Sequence, residues 1–312
     1  MASPLTPFDF PVRFAGGVAS EVLARATDGR VAAVFDSSFY VETKNGLFCI
    51  GSAALEPGPL TLVTDAPAAT KWPTSGVTRN ATAHIGPRTV TIGNRYRYAL
   101  SDAAAWAPDR ISGAPDPAKI ETGLQTFRRT AADKVPAGGL GRFLLPDFRP
   151  ARADIVSWAA ADPIVALRHW VISACRAPEK ANAEDLGPVR PLIGLGPGLT
   201  PSGDDILGGV MIALHALQEA AMCRQLWSAV REAATQSGNA ISLAHLAAAA
   251  DGQGGAAVHR ALAAIMQADV ARMPDAVSGI DRIGHTSGWD AMTGAVIALD
   301  GWRAARHSRS CP

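Results

Sequence analysis

The sequence predicts an α+β protein, with a β-rich amino-terminal lobe (an antiparallel sheet or small barrel) and an α-helical carboxy-terminal lobe. Three observations predict it. Short β-rich runs separated by turn signals fill the first hundred residues. Beyond residue 201 the chain becomes a series of Ala-rich runs, with apolar residues at three- and four-residue spacing. At 312 residues it is long enough for two lobes, each with its own core. The expected division is a β-rich lobe over 1–105, a linker and helix over 106–150, and a helical lobe over 151–312.

In the first lobe the strands expected are 31–35, 39–43, 47–52 and 60–63, followed by 79–84, 88–92 and 95–98. The breaks between the first four are Asp36-Ser37-Ser38, Lys44-Asn45-Gly46 and Glu56-Pro57-Gly58-Pro59. Asn45-Gly46 reads as a hairpin turn, because both residues tolerate positive φ. A helix is expected over 117–134, and Pro136 to Gly141 form a glycine-rich loop. Residues 151–176 read as one or two helices with Trp158, Leu167, Trp170 and Val171 on apolar faces. Further helices are expected at about 203–220, 223–235, 240–250, 256–270 and 289–306.

Bulk chemistry narrows the function. Apolar residues make up 48% and charged residues 18%, a globular rather than a disordered composition. A net charge of +1 offers no basic field for nucleic acid or an anionic membrane, so a bound anion must be held by local geometry. The start, MASPLTPFDFPVRFAGG, lacks the pattern of a signal peptide. No uninterrupted apolar stretch reaches the roughly 18 residues of a membrane span. Cys49, Cys175, Cys223 and Cys311 are scattered with no CxxC pair, which fits a reducing, cytoplasmic setting.

The informative segment is LIGLGPGLTPSGDDILGG, residues 192–209. Gly194, Gly196 and Gly198 alternate along a loop, freeing backbone N–H groups and permitting positive φ, so that the loop can wrap an anion. The helix that follows adds unpaired N–H groups and a partial positive charge at its start, and Thr200, Ser202 and Gly203 lie at that start. A plain helix start is the competing account: Thr200 as cap with Pro201 at the first position, or Ser202 with Asp205 as a capping pair. Neither needs three alternating glycines, two hydroxyls and adjacent carboxylates within twelve residues. The spacing is not the Rossmann GxGxxG, and the Walker lysine is missing.

Asp204 and Asp205 beside an anion require something cationic or protonated. A magnesium ion, a substrate amino or amide group, or a protonated carboxyl each resolves the conflict, and no cofactor is required by the motif. The two are about 100° apart on a helix, so one can face the site while the other braces the loop. The pattern Ser202-Gly203-x-Asp205-x-x-x-Gly209 recurs as Ser287-Gly288-x-Asp290-x-x-x-Gly294, with a partial echo at Ser237-Gly238-Asn239. These starts either reuse one cap or converge on one pocket, and Gly209 and Gly294 allow their helices to pack closely. His285, beside hydroxyls in a loop, is the candidate acid–base histidine. His169, His215, His245 and His259 sit in helical patterns without metal-ligand spacing. No motif ties Arg79, His84 or Arg88 to a site, and Asp36 and Ser38 read as a turn.

The string LIGLGPGLTPSGDDILGG, with SGN and IGHTSGWDAMTG after it, resembles the AllH-like family, whose namesake is a subunit of oxamate carbamoyltransferase in allantoin catabolism. The resemblance implies carbamoyl transfer between a ureido-type compound and phosphate, a small anionic substrate, and partner subunits. Transfer to phosphate calls for an oxyanion cradle, here the glycine loop with Thr200 and Ser202, and for a group such as Asp205 to orient the transferred NH₂ or manage its protons. Two alternatives stay open: a magnesium- and ATP-dependent transferase using the same loop, and a ligand-binding or assembly subunit whose catalytic residues lie on a partner.

Overall fold

A computed structural model describes residues 8–109, 111–179, 182 and 184–307. The chain divides into two compact units, one ending at Pro108 and the other beginning at Asp109.

The first unit contains β1 (Phe8–Gly16), α1 (Gly17–Arg25), β2 (Asp28–Val34), β3 (Ser38–Thr43), β4 (Gly46–Gly51) and β5 (Thr61–Thr64). It continues with the single-turn α2 (Trp72–Ser75), β6 (Thr82–Gly86), β7 (Thr89–Ile92), β8 (Tyr96–Ala99) and β9 (Ala104–Trp106). The sheet order is β5-β4-β3-β2-β6-β7-β8-β1-β9, and β1 also pairs with β5. That last pairing closes eight strands into a barrel, with β9 added beside β1. Closure removes the exposed edges of an open sheet. The pairs β4–β5 and β8–β1 are parallel, and the other six of the ring are antiparallel.

β1, α1 and β9 are additions to the sequence reading. Pro11 lies inside the run FDFPVRFAG, and a proline demotes such a run when read locally. The strand is viable because it changes partners along its length: residues 8–11 meet β8, 12–15 meet β5 and 14–16 meet β9. The hairpin at 44–45 forms, but only Gly46 takes positive φ (132°), whereas Asn45 reaches out to donate Nδ2–H to the Arg25 carbonyl at 2.7 Å. Val31, Val41, Phe48, Ile50, Leu62 and Tyr98 fill the barrel, and the buried Trp72 ring meets Phe39 edge-on at 5.0 Å.

The second unit contains α3 (Pro117–Ala131), a 3₁₀ turn (Gly141–Leu144), α4 (Ile155–Arg176), a 3₁₀ segment (Glu184–Leu192) and α5 (Ser202–Ala216). Then come α6 (Ala220–Gln236), α7 (Ala240–Ala250), α8 (Ala256–Gln267), α9 (Met273–Asp281) and α10 (Ser287–His307). Residues 117–144, expected within the linker and helix, join this unit's core through Ile120, Leu124, Phe127, Leu140 and Leu144. By length and composition α4 would suffice to cross a membrane, yet Ile164, Leu167, Trp170 and Val171 on one side of it are buried in the core.

Helix α5 is the centre of the unit. Ile206, Leu207, Val210, Met211, Ala213 and Leu214 are all fully buried, so the helix is enclosed around most of its circumference rather than along one stripe. Its main neighbour is α10, and glycine sets their separation. A Cβ on Gly209 would sit 1.8 Å from the Ala291 carbonyl oxygen, and one on Gly294 would sit 1.9 Å from the Ile206 oxygen. The echoed glycines thus make a reciprocal crossing, each against the other helix's backbone.

Candidate functional site

The two echoed helix starts come together. Gly203 packs on the Leu192 carbonyl and Gly288 on the Ile280 carbonyl, where a Cβ would lie at 1.9 Å and 2.3 Å. Asp205 N–H bonds Pro201 C=O at 3.0 Å, and Asp290 N–H bonds Thr286 C=O at 2.9 Å. Across the pair, the Ser287 hydroxyl lies beside the Asp205 carboxyl, and the Ser202 hydroxyl beside the Asp290 carboxyl. The Thr200 and Ser287 hydroxyls are hydrogen-bonded at 3.0 Å. Crossing at glycine is what permits this, because any larger residue at 209 or 294 would hold the starts apart.

Neither capping account describes the start of α5. Pro201 occupies the cap position and no side chain caps the helix; Ser202 is its first residue, buried, and Thr200 is engaged with Ser287. In the loop before it, Gly194, Gly196 and Gly198 all take positive φ, at 72°, 114° and 91°. Gly196 is also required by space, since its Cβ would lie 2.9 Å from the Ser202 nitrogen, whereas Gly194 and Gly198 face open space. Among the described residues, none accepts from the N–H groups of Gly196, Gly198, Leu199 or Thr200. A loop of free donors running into an uncapped helix start is suited to an external acceptor.

The adjacent aspartates have different surroundings. Asp204 braces the loop: one oxygen accepts Gly194 N–H at 2.8 Å and the other the Ser242 hydroxyl at 2.5 Å. Burial raises its carboxyl above the ordinary range, opposed by Ser242 and Gly194. Asp205 faces the other helix, and its Oδ2 is buried with no hydrogen-bond partner. Burial raises this carboxyl well above the usual range; Ser287 opposes the shift, and the charges of Asp290 and Asp204 reinforce it. Asp290 is fully buried, with Oδ1 accepting Leu140 N–H at 2.6 Å and Oδ2 unpartnered. Burial raises it too, against Ser202, the Leu140 N–H, Thr286 and the Gly141 N–H.

Several contributors had no strong local signal. The glycine-rich loop wraps the start of α10: a Cβ on Gly139 would meet Thr286 at 2.6 Å and both Asp290 oxygens at 2.9 Å. Thr293 Oγ1 lies 3.0 Å from the Trp289 carbonyl of its own helix and 3.3 Å from the Leu140 carbonyl, so α10 approaches both backbone groups of Leu140. Ser242 was visible only as the third residue of a helix capped by Asn239, whose side chain accepts Ser242 N–H and donates to Leu199 C=O at 3.0 Å. That contact brings the third echo to the loop through Asn239. Ser237 is not drawn in; it is exposed, and its hydroxyl bonds back to Ala234 C=O on its own helix.

His285 is exposed on the turn before α10 and joins no hydrogen bond of the cluster. His245 and His259 are kept neutral by burial, which lowers each to about 4, and His215 bonds the Ala250 carbonyl at 2.8 Å. Among the described residues no group of three or more His, Cys, Asp or Glu side chains is arranged to hold a metal ion. Within this cluster Asp204 has both oxygens committed, whereas Asp205 and Asp290 each keep a buried Oδ2 without a hydrogen-bond partner.

Comparison with known families gives two matches. Residues 12–105 match the AllH family N-terminal domain, and residues 192–299 match the family described as oxamate carbamoyltransferase subunit AllH. No curated protein and no solved structure matches the chain. The second match spans the glycine loop and both echoed helix starts, and with the first it covers about two thirds of the sequence: the chain belongs to the AllH family, which is a subunit of the transferase oxamate carbamoyltransferase.

Proposed function

We propose that this chain supplies the anion cradle and a substrate-orienting carboxyl for carbamoyl transfer between oxamate and phosphate, working with partner subunits. The observation that carries the reading is the row of free N–H groups at Gly196, Gly198, Leu199 and Thr200, running into a helix whose first turn carries Asp205 with a buried, unpartnered carboxyl oxygen. In the direction that forms carbamoyl phosphate, a phosphate oxygen attacks the carbamoyl carbon of carbamoylated oxamate. A C–O bond forms, the C–N bond breaks, and the nitrogen leaves as the oxamate amide. The loop and the uncapped start of α5 hold phosphate oxygens through donors fixed before the ligand arrives. The open acceptor of Asp205 binds the transferred NH₂, which answers how acid and anion share a site: the group between them is a donor.

The test is Asp205→Asn, assayed with the partner subunits for carbamoyl transfer from carbamoyl phosphate to oxamate, with unfolding followed in parallel. Turnover is expected to fall by orders of magnitude with the fold retained. A fully active variant would return Asp205 to an ordinary first-turn acid, worth only ~0.3–1 kcal/mol of stability. Thermal shift of the chain alone with inorganic phosphate tests the cradle separately.

A further inference from the structure

Helix α4 has two apolar sides. Ile164, Leu167 and Val171 are fully buried in the core of the helical unit, yet Ile155, Trp158 and Val165 on the opposite side are 78%, 50% and 47% exposed. Ala159, Asp162, His169 and Ser173 are exposed on that same side. At 100° per residue the whole row fits within about 120° of the circumference. Exposed apolar residues scattered singly are ordinary, but a helix apolar all round is one that is covered all round. Trp158 is also held in place, because the Arg152 guanidinium sits over its ring, 5.3 Å from the centroid. An aromatic ordered before any partner arrives loses little freedom on docking.

The exposed row is complementary to itself. Asp162 and His169 stand near its centre, equally far on either side of the step from Val165 to Ala166. Among the described residues, neither has a partner in its own chain. Lay a second α4 antiparallel on the first, with a two-fold axis through that step, and Asp162 of each copy meets His169 of the other. The imidazole can donate an N–H to the carboxylate whether neutral or charged. The same operation sets a large residue level with a small one: Trp158 with Ser173, Ile172 with Ala159, Val165 with Ala166. The small positions recur every seventh residue, the repeat that keeps two helices in contact along their length. A parallel pair in register would instead set Asp162 against Asp162. A groove of about 500 Å³, lined by Ala166, His169, Trp170, Ser173, Ala177 and Asp185, runs beside the carboxy-terminal half of the row. In the antiparallel pair, Ile155 of the other copy arrives at the Ser173–Ala177 end of it. We propose that this chain forms a two-fold homodimer through α4, packed antiparallel on α4 of a second copy about the Val165–Ala166 step.

The experiment is analytical ultracentrifugation of the purified full chain across the micromolar range. Wild type should sediment as a dimer. His169→Glu places a carboxylate against Asp162 at two symmetric points and should weaken association by about tenfold or more. Val165→Glu, beside the axis, should give a monomer. The double variant Asp162→Lys with His169→Glu restores opposite charges at both points and should restore the dimer. All these positions are exposed, so circular dichroism and the unfolding midpoint of the monomer should stay at wild-type values. A wild type that is monomeric across the range would overturn the proposal, as would a dimer unmoved by His169→Glu and Val165→Glu. A double variant no better than His169→Glu alone would refute the antiparallel register. Hydrogen exchange in α4 that is fast in a monomeric chain and slowed only by added partner subunits would assign this face to them instead of to a second copy.

Discussion

Gly208 and Gly209 are neighbours on α5, and the structure assigns their replacement by alanine opposite signs. At Gly208 an added Cβ meets only the Ala249 Cβ at 3.6 Å, an ordinary contact. At Gly209 it meets the Ala291 carbonyl oxygen at 1.8 Å, and real Cβ contacts essentially never fall below 3.0 Å. The obstacle is the backbone of α10, so relief requires the two helices to part by more than about 1 Å in a close-packed interior. Overpacking of this kind costs about 1–3 kcal/mol, sometimes more, against the ~0.8–1 kcal/mol that alanine gains over glycine in a helix. Gly208→Ala keeps the gain without the clash. The propensity cancels in the difference between the two variants, which isolates the contact at about 1–3 kcal/mol. For a body the size of the helical unit, each kcal/mol moves the unfolding midpoint by about 2–4 °C. Paired thermal and urea unfolding of the two variants is the assay. Gly209→Ala should also weaken phosphate binding, because parting the helices separates the two starts. Equal midpoints for the two variants would refute the close crossing and, with it, the geometry assigned to the site.

Two further predictions concern stability. Leu214, fully buried on α5, should cost ~2–5 kcal/mol on replacement by alanine; an unchanged melting point would show that the helix is not central. The raised carboxyls of Asp204, Asp205 and Asp290 set a pH dependence. A folded-state pKa above the unfolded value of ~3.9 contributes stability that is complete below that value and is lost as pH rises through the folded one. Asp205→Asn removes one such group, so its midpoint at neutral pH should equal or exceed that of wild type, the gap closing toward pH ~4. A variant that is relatively weakest at neutral pH would contradict the burial of this carboxyl.

Local chemistry determined much of this protein by itself. β-branched and aromatic runs between turn residues located most of the barrel strands, and Ala-rich runs located most of the helices, because strand and helix preferences act over a few residues. The alternating glycines and the Ser-Gly-x-Asp echo marked the two helix starts that meet at the candidate site for the same reason: positive φ and close backbone approach can be met by few residue types. Tertiary structure decided what the aspartates do. Asp204 and Asp205 are adjacent and chemically identical, yet one is consumed by Gly194 and Ser242 while the other faces Asp290 across a helix crossing. Leu140 reaches Asp290 over 150 residues, and Thr200 reaches Ser287 over 87. The same holds for β1, whose interior Pro11 reads locally as a strand breaker and becomes tolerable only when β8, β5 and β9 take turns beside it. Such contacts leave no periodicity in the chain, because they depend on which backbones approach closely after collapse, and that approach is set at Gly209 and Gly294 by the absence of a side chain.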